Sequence, residues 1–212
     1  DLHPDYMATR YGLQQGAAVV RVQHHHAHLA SCLADNSAGE DGADSPAIGV
    51  IMDGTGYGLD GQIWGGEFLV GDGRGFQRAA HLQYLPLPGG DQATRKPYRI
   101  ALAYVLALLG HARLPETLGD IARQEGDLLA QMLAQRVNTP LTSSAGRLFD
   151  AVSALLGVCC EVSYEAQAAI ALEMAAGGGA PLGKAEPYPY ALEQVEGVQS
   201  WGQTSTNLRH TI

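Results

Sequence analysis

One stretch limits what this chain can fold into more than any other: Gln23-His24-His25-His26-Ala27-His28, lying between an apolar run and a run rich in Ala and Leu. Ala17, Ala18, Val19, Val20 and Val22 precede it, and the β-branched residues among them predict a buried strand. Leu29, Cys32 and Leu33 follow at spacings that give a helix one apolar face. A helix beginning near His24 puts His24 and His28 one turn apart on the same side. Two imidazoles so placed can converge on one metal ion, and a carboxylate from elsewhere would complete a two-His-one-carboxylate site. The plain alternative is a solvated helix start that binds nothing. An internal run interrupted by Ala27 does not read as an expression tag, and four His within five positions beside a buried strand favour a metal.

The rest of the composition narrows the class. The 212 residues are enough for one sizeable core or two small ones. A hydrophobic content of 46% with 17% charged residues is that of a soluble globular protein. Thirteen Lys and Arg against 22 Asp and Glu give a net charge of −9, which argues against nucleic acid as a partner. No apolar run approaches membrane-spanning length, and the N-terminus lacks a signal-peptide pattern. Cys32, Cys159 and Cys160 form no C-x-x-C pair and imply no disulfide framework, so a cytoplasmic location is expected. Cys159 and Cys160 read as packing thiols at a helix end.

Along the chain, Asp1-Leu2-His3-Pro4-Asp5-Tyr6 opens abruptly, as a piece of something longer would. Asp35 to Pro46 is polar and predicts a surface loop. Ala47 to Met52 predicts a short buried strand ending in the glycine turn Asp53-Gly54-Thr55-Gly56-Tyr57-Gly58. Glycines at alternate positions allow backbone N–H groups to approach an oxyanion. Strands from Gln62 to Val70 and from Gly75 to about Leu85 complete an antiparallel meander. From Gln92 the pattern turns helical. Ile100, Leu102, Ala103, Leu106 and Leu109 stripe one helix ended by Gly110, and Leu118 to Leu133 mark another. Thr142-Ser143-Ser144 offers caps before helices expected from about Leu148 to Cys160 and from about Tyr164 to Ala176. Residues 186–212 show no firm pattern.

Five segments in this order carry a resemblance: Val22 to His28, Asp53 to Gly58, Ile63-Trp64-Gly65-Gly66-Glu67-Phe68, Gly146-Arg147-Leu148-Phe149-Asp150-Ala151-Val152, and Ser163-Tyr164-Glu165-Ala166-Gln167-Ala168-Ala169. Together they resemble HypF, the carbamoyltransferase family of nickel–iron hydrogenase maturation, over roughly residues 1–190. The opening Asp1 to Tyr6 looks like the same family's entry into its last domain.

The resemblance implies an α/β fold of the actin-like ATPase (ribonuclease H-like) superfamily, an antiparallel β-meander plus helices. Residues 1–185 would be the first part of the carbamoyltransferase domain, with its second lobe missing, and 186–212 a tail. In that family carbamoyl phosphate and ATP yield carbamoyl-adenylate, with AMP and pyrophosphate as by-products. The carbamoyl group then passes to the C-terminal cysteine of the partner HypE. Carried onto this chain, the resemblance implies a divalent metal, iron or zinc, held by His24, His28 and Asp53. ATP or carbamoyl-adenylate with magnesium would bind through Gly54, Thr55, Gly56 and Gly58, with Asp150 at the ribose. Arg95, Lys96 and Arg99 would line the phosphates or remain solvated. The chain departs from the family at Ala166, where Gly is usual, and in its last residues. Two rival readings are a relative of the tRNA threonylcarbamoyl transferases and a non-catalytic interaction module that keeps only the fold. The consecutive His24-His25-His26 and the Ile63 to Phe68 strand weigh against the first, and a stoichiometric metal would weigh against the second.

Overall fold

The computed structural model describes residues 1–16, 18–36, 45–110, 116–177, 188–194, 200–201 and 210–211. The chain forms two compact units, Asp1–Gln83 with Ala191–Ile212, and Tyr84–Tyr190.

The first unit is the expected meander with two helices. Strand β1 (Ala47–Tyr57) pairs antiparallel with β2 (Ile63–Gly71), and β2 pairs antiparallel with β3 (Phe76–His81). Gly58 N–H donates to Gln62 O at 2.9 Å to close the first turn, where Gly61 takes φ of 76°. The second turn is held by Asp72, whose Oδ1 accepts from Arg74 N–H at 2.8 Å and Gly75 N–H at 3.1 Å. Three expectations are corrected here. First, β1 does not stop at Met52: it runs on through the glycines to Tyr57, with a register break between Met52 and Gly56. Second, it is not buried on both faces. Ile48, Val50 and Met52 are exposed, Ile48 by 74%, while Gly49 lies beneath Leu29. The alternation is that of an antiparallel strand covered on one side. Third, β3 ends at His81, short of Leu85. The tail supplies two short strands to β3, Ser200–Trp201 antiparallel and His210–Thr211 parallel.

Helix α1 (Met7–Gln14) and helix α2 (His24–Asn36) belong to the same unit. α2 starts at the residue the histidine spacing predicts and rests on β1 and β2 through Leu29, His25 and His26, all buried. The strand expected before it is not formed. Residues 18–22 are irregular, and Val20 is 86% exposed. β-branched residues favour extended backbone only where a neighbouring strand takes up their hydrogen bonds, and among the described residues none lies beside them. Most of the expected loop after α2 lies outside the described residues.

The second unit is helical. α3 (Pro97–Leu109) is buried continuously from Ile100 to Val105 and ends at Gly110, φ 75°. It packs against α4 (Gly119–Gln135) and α5 (Ala145–Leu155), and α5 packs against α6 (Gln167–Ala175). Arg99 Nε donates to Glu125 Oε2 at 2.7 Å and Tyr98 Oη to Glu125 Oε1 at 2.8 Å, tying α3 to α4. A two-residue ladder, Leu85–Pro86 with Leu141–Thr142, precedes α5. α5 begins three residues before the expected Leu148 because Ser144 caps it, its Oγ accepting from Arg147 N–H at 3.1 Å. It also ends earlier, so Cys159 and Cys160 lie beyond the helix, half-buried.

α6 starts two residues beyond Glu165, which is exposed, at an N-cap in the left-handed region. That residue is Ala166, φ 60°, the position where the family resemblance expects Gly. An L-residue there costs roughly 1–2 kcal/mol of backbone energy that glycine avoids. Ala166→Gly should therefore raise the stability of the chain by about 1 kcal/mol, read as a higher urea midpoint at unchanged slope.

Candidate metal centre

Three side chains from two elements converge in the first unit. His24 and His28, one turn apart on α2, face Asp53, which lies where β1 breaks register. One ligand atom from each lies within 4.8 Å of the others. His24 Nε2 is 3.0 Å from Asp53 Oδ2 and 3.3 Å from His28 Nε2, and His28 Nε2 is 3.7 Å from the same oxygen.

His24 Nδ1 lies 2.8 Å from Asp1 Oδ2, an acceptor, and a neutral ring that gives its proton to that carboxylate keeps its lone pair on Nε2. A carboxylate behind a ligating histidine is the usual device for fixing such a ring. Asp53 is anchored in turn: its Oδ1 accepts from Gly54 N–H at 2.6 Å, leaving Oδ2 toward the imidazoles. Lone pairs crowded in this way repel unless a cation or proton lies among them. Two imidazole nitrogens and a carboxylate oxygen form a donor set that suits zinc or iron(II).

The neighbouring histidines are different. His26 is buried, its Nε2 donating to Asp72 O at 2.8 Å and its ring on Phe76, so it fastens α2 to the β2–β3 turn. His25 is fully buried, and burial drives its pKa down to about 4 despite the carboxylates of Glu67 and Asp53, with His24 and His28 adding to the fall.

The wall behind His25 is Trp64, 6.0 Å between ring centroids. Trp64 Nε1 donates to Asp60 Oδ1 at 2.8 Å, and the Arg78 guanidinium stacks on its ring at 3.9 Å. Buried Glu67 binds Arg78 Nε at 2.6 Å and accepts the N–H groups of Gly65 and Gly66 at 3.0 and 3.2 Å. Removing either charge would leave the other buried, at a cost of about 3–5 kcal/mol. Sequence reasoning gave no role to Asp1, Gln23, Asp60, Glu67 or Arg78. The only local signal is at Gln23, whose carbonyl accepts Ala27 N–H and whose side chain accepts His26 N–H at 2.9 Å, the bonding of an N-cap.

The glycines expected to cradle a phosphate divide by role. Gly58 N–H is committed to Gln62 O, and a Cβ there would lie 2.2 Å from Trp64 Nε1. Gly56 pairs with Trp64 across the ladder, and its missing Cβ makes room for the rings, since an added carbon would lie 2.3 Å from His25 Cε1 and 2.9 Å from His24 Cδ2. Gly54 and Thr55 lie in the break, where the ladder with β2 is interrupted, and Thr55 Oγ1 donates to Gly54 O at 2.6 Å.

Asp150 belongs to the second unit. It is the sixth residue of α5 and not at its start, 3% exposed, with Oδ2 3.1 Å from Arg147 Nη2. Burial raises its pKa and Arg147 opposes the rise. Of the three cations expected near phosphates, Arg99 is engaged by Glu125, and Lys96 Nζ lies 5.7 Å from the Tyr98 ring centre.

Comparison with known proteins places this arrangement in a class. Residues 49–211 match the family model of the carbamoyltransferase Kae1-like domain, second subdomain, and residues 1–35 match that of the HypF Kae1-like domain. The chain is 51% identical over 178 residues to carbamoyltransferase HypF2 of Cupriavidus necator, covering 82% of the chain and 21% of that protein. It is 46% identical over 187 residues to carbamoyltransferase HypF of Rhodobacter capsulatus, covering 86% and 25%. A crystal structure of full-length HypF in a phosphate- and nucleotide-bound form superposes with a TM-score of 0.78 at 37% identity, covering 99% of this chain and 30% of that one. The chain is thus a Kae1-like carbamoyltransferase segment with the α/β actin-like, ribonuclease H-like fold, spanning about a quarter of the length of these relatives. It belongs to the HypF carbamoyltransferase family. Among the described residues no helix is long and apolar enough to cross a membrane.

Two outcomes follow from the geometry. Gly56→Ala should displace His24 and His25 together and weaken zinc binding tenfold or more, about 1.4 kcal/mol, in an isothermal titration. In the metal-free chain His25 is neutral when folded down to about pH 4 but protonates near pH 6.5 when unfolded. Its contribution is therefore intact above pH 6.5 and is lost as pH falls from there to about 4, by up to about 1.4 kcal/mol per unit. Thermal melts should show a flatter acid limb for His25→Gln, whose amide does not titrate.

Proposed function

We propose that the chain is the metal- and phosphate-binding part of a domain that transfers a carbamoyl group from carbamoyl-adenylate to the C-terminal cysteine of HypE, for the cyanide ligand of a hydrogenase. The observation that carries this reading is the convergence of His24, His28 and Asp53 in a chain of the HypF family. In the step itself the thiolate sulfur forms a bond to the carbamoyl carbon, the bond from that carbon to the phosphate oxygen breaks, and AMP leaves with the electron pair. Carbamoyl phosphate, ATP and one water supply the adenylate: the phosphoryl group of carbamoyl phosphate leaves as inorganic phosphate, and ATP releases pyrophosphate as its AMP joins the carbamate oxygen. A free thiol acceptor fits a reducing, cytoplasmic compartment.

The residues have separable tasks. His24 and His28 present lone pairs and Asp53 a carboxylate oxygen, the set that would hold iron or zinc. Such an ion supplies charge neutralisation at a phosphate and polarisation of a carbonyl. Asp1, 2.8 Å from His24 Nδ1, is assigned to holding the ring proton there so that Nε2 faces the metal. Gly54 and Thr55, where β1 leaves its ladder, are assigned to the phosphate of a magnesium-bound nucleotide. Gly56 and Gly58, first read with them, act by close packing under His25 and Trp64. Asp150, in the second unit, is assigned to the ribose hydroxyls on the family resemblance, with the Arg147 guanidinium 3.1 Å from its carboxylate.

The test is a zinc titration of single variants. His24→Ala, His28→Ala and Asp53→Asn should each lower affinity at least a hundredfold, about 2.7 kcal/mol, whereas His26→Ala should act on stability and leave the zinc affinity of the folded fraction within a few-fold. Equal losses across all four would contradict the ligand set. For the nucleotide, Asp150→Asn should weaken ATP more than pyrophosphate, which has no ribose. Equal effects on both would move Asp150 out of that role.

A further inference from the structure

The third histidine of the run is the least explained group in the centre. His25 is fully buried, and its Nε2 makes no hydrogen bond. Asp53 Oδ2, the oxygen shared by His24 and His28, lies 3.6 Å away, beyond hydrogen-bond length but within reach of a charge–dipole attraction. If that nitrogen carried a lone pair, the site would hold three imidazole ligands. If it carries a proton, His25 is a donor.

The backbone decides between these states through Gln23. Oxygen and nitrogen of a glutamine amide are told apart by their partners. Gln23 Oε1 lies 2.9 Å from the N–H of His26, which can only donate. Gln23 Nε2 lies 3.2 Å from the carbonyl of Tyr57, which can only accept. Both contacts require the same orientation, so the amide is fixed from its two ends. Its NH₂ group is also 3.1 Å from His25 Nδ1. That nitrogen must then accept, and a neutral imidazole that accepts at Nδ1 bears its proton at Nε2. Gly56 leaves room for the ring in this position, since a Cβ there would lie 3.0 Å from Nδ1.

We infer that Gln23 fixes the proton of His25 on Nε2, making His25 an N–H donor toward the Asp53 carboxylate and a positioning residue beside the metal-binding pair, not a third imidazole ligand. The second half rests on the metal reading given above. Its consequence is a division within one run of histidines: His24 and His28 offer lone pairs, His25 offers a proton to their shared carboxylate, and His26 holds the helix down.

Side-chain nitrogen NMR of the nitrogen-15-labelled chain tests this directly. Without metal, His25 should show Nδ1 at the shift of an unprotonated nitrogen and Nε2 at that of a protonated one. A proton on Nδ1, or averaging between the two forms, overturns the inference. On addition of one equivalent of zinc, the Nε2 signals of His24 and His28 should shift and His25 should keep its Nε2 proton. Loss of that proton on zinc addition makes His25 a ligand and overturns the inference as well. If zinc moves none of the three rings, the metal reading fails, while the zinc-free spectrum still decides the tautomer. Gln23→Glu should transfer the proton to Nδ1, since the carboxylate can only accept there. Should that chain not fold, Gln23→Met, which has no donor, should allow both tautomers. An unchanged spectrum in a folded Gln23 variant removes Gln23 from the account.

Discussion

The centre depends on one buried amide. Gln23 joins the first turn of α2 to the end of β1, accepting from His26 N–H and donating to Tyr57 O and His25 Nδ1. A polar side chain is costly to bury unless its hydrogen bonds are made, so full satisfaction within a buried seam leaves one arrangement much lower in energy than its neighbours. That arrangement sets the helix start against the strand and so places His24 and His28 opposite Asp53. The Glu67–Arg78–Trp64 network braces the strand side of the same seam, with Gly56 and Gly58 providing the close approach.

The pairing of His24 with His28 was legible because its geometry is local. A one-turn spacing on a helix is fixed by the helical period, and α2 begins where that spacing requires. The meander was legible for the same reason: alternation, glycine turns and short strands are written within a few residues of one another. So was the site of Ala166, where a family position that favours glycine has a positive φ.

What was not legible depends on partners far away in sequence. Asp1 reaches His24 across 23 positions and Gln23 reaches Tyr57 across 34, distances at which no periodicity carries a signal. Residues 18–22 have the composition of a buried strand, but a strand needs an edge beside it, and composition does not supply one. The glycines after Asp53 read as a phosphate turn, yet two of them serve packing against aromatic rings. Absence of a Cβ looks the same in sequence whether the space is for an anion or for a tryptophan.

Metal-edge X-ray absorption of the zinc-loaded chain tests the central claim most directly, because it reports ligand number and type without relying on a variant. The account predicts two imidazole nitrogens and one or more carboxylate or solvent oxygens at about 2.0–2.2 Å, with no sulfur. Three or more imidazoles, or a thiolate near 2.3 Å, would contradict it.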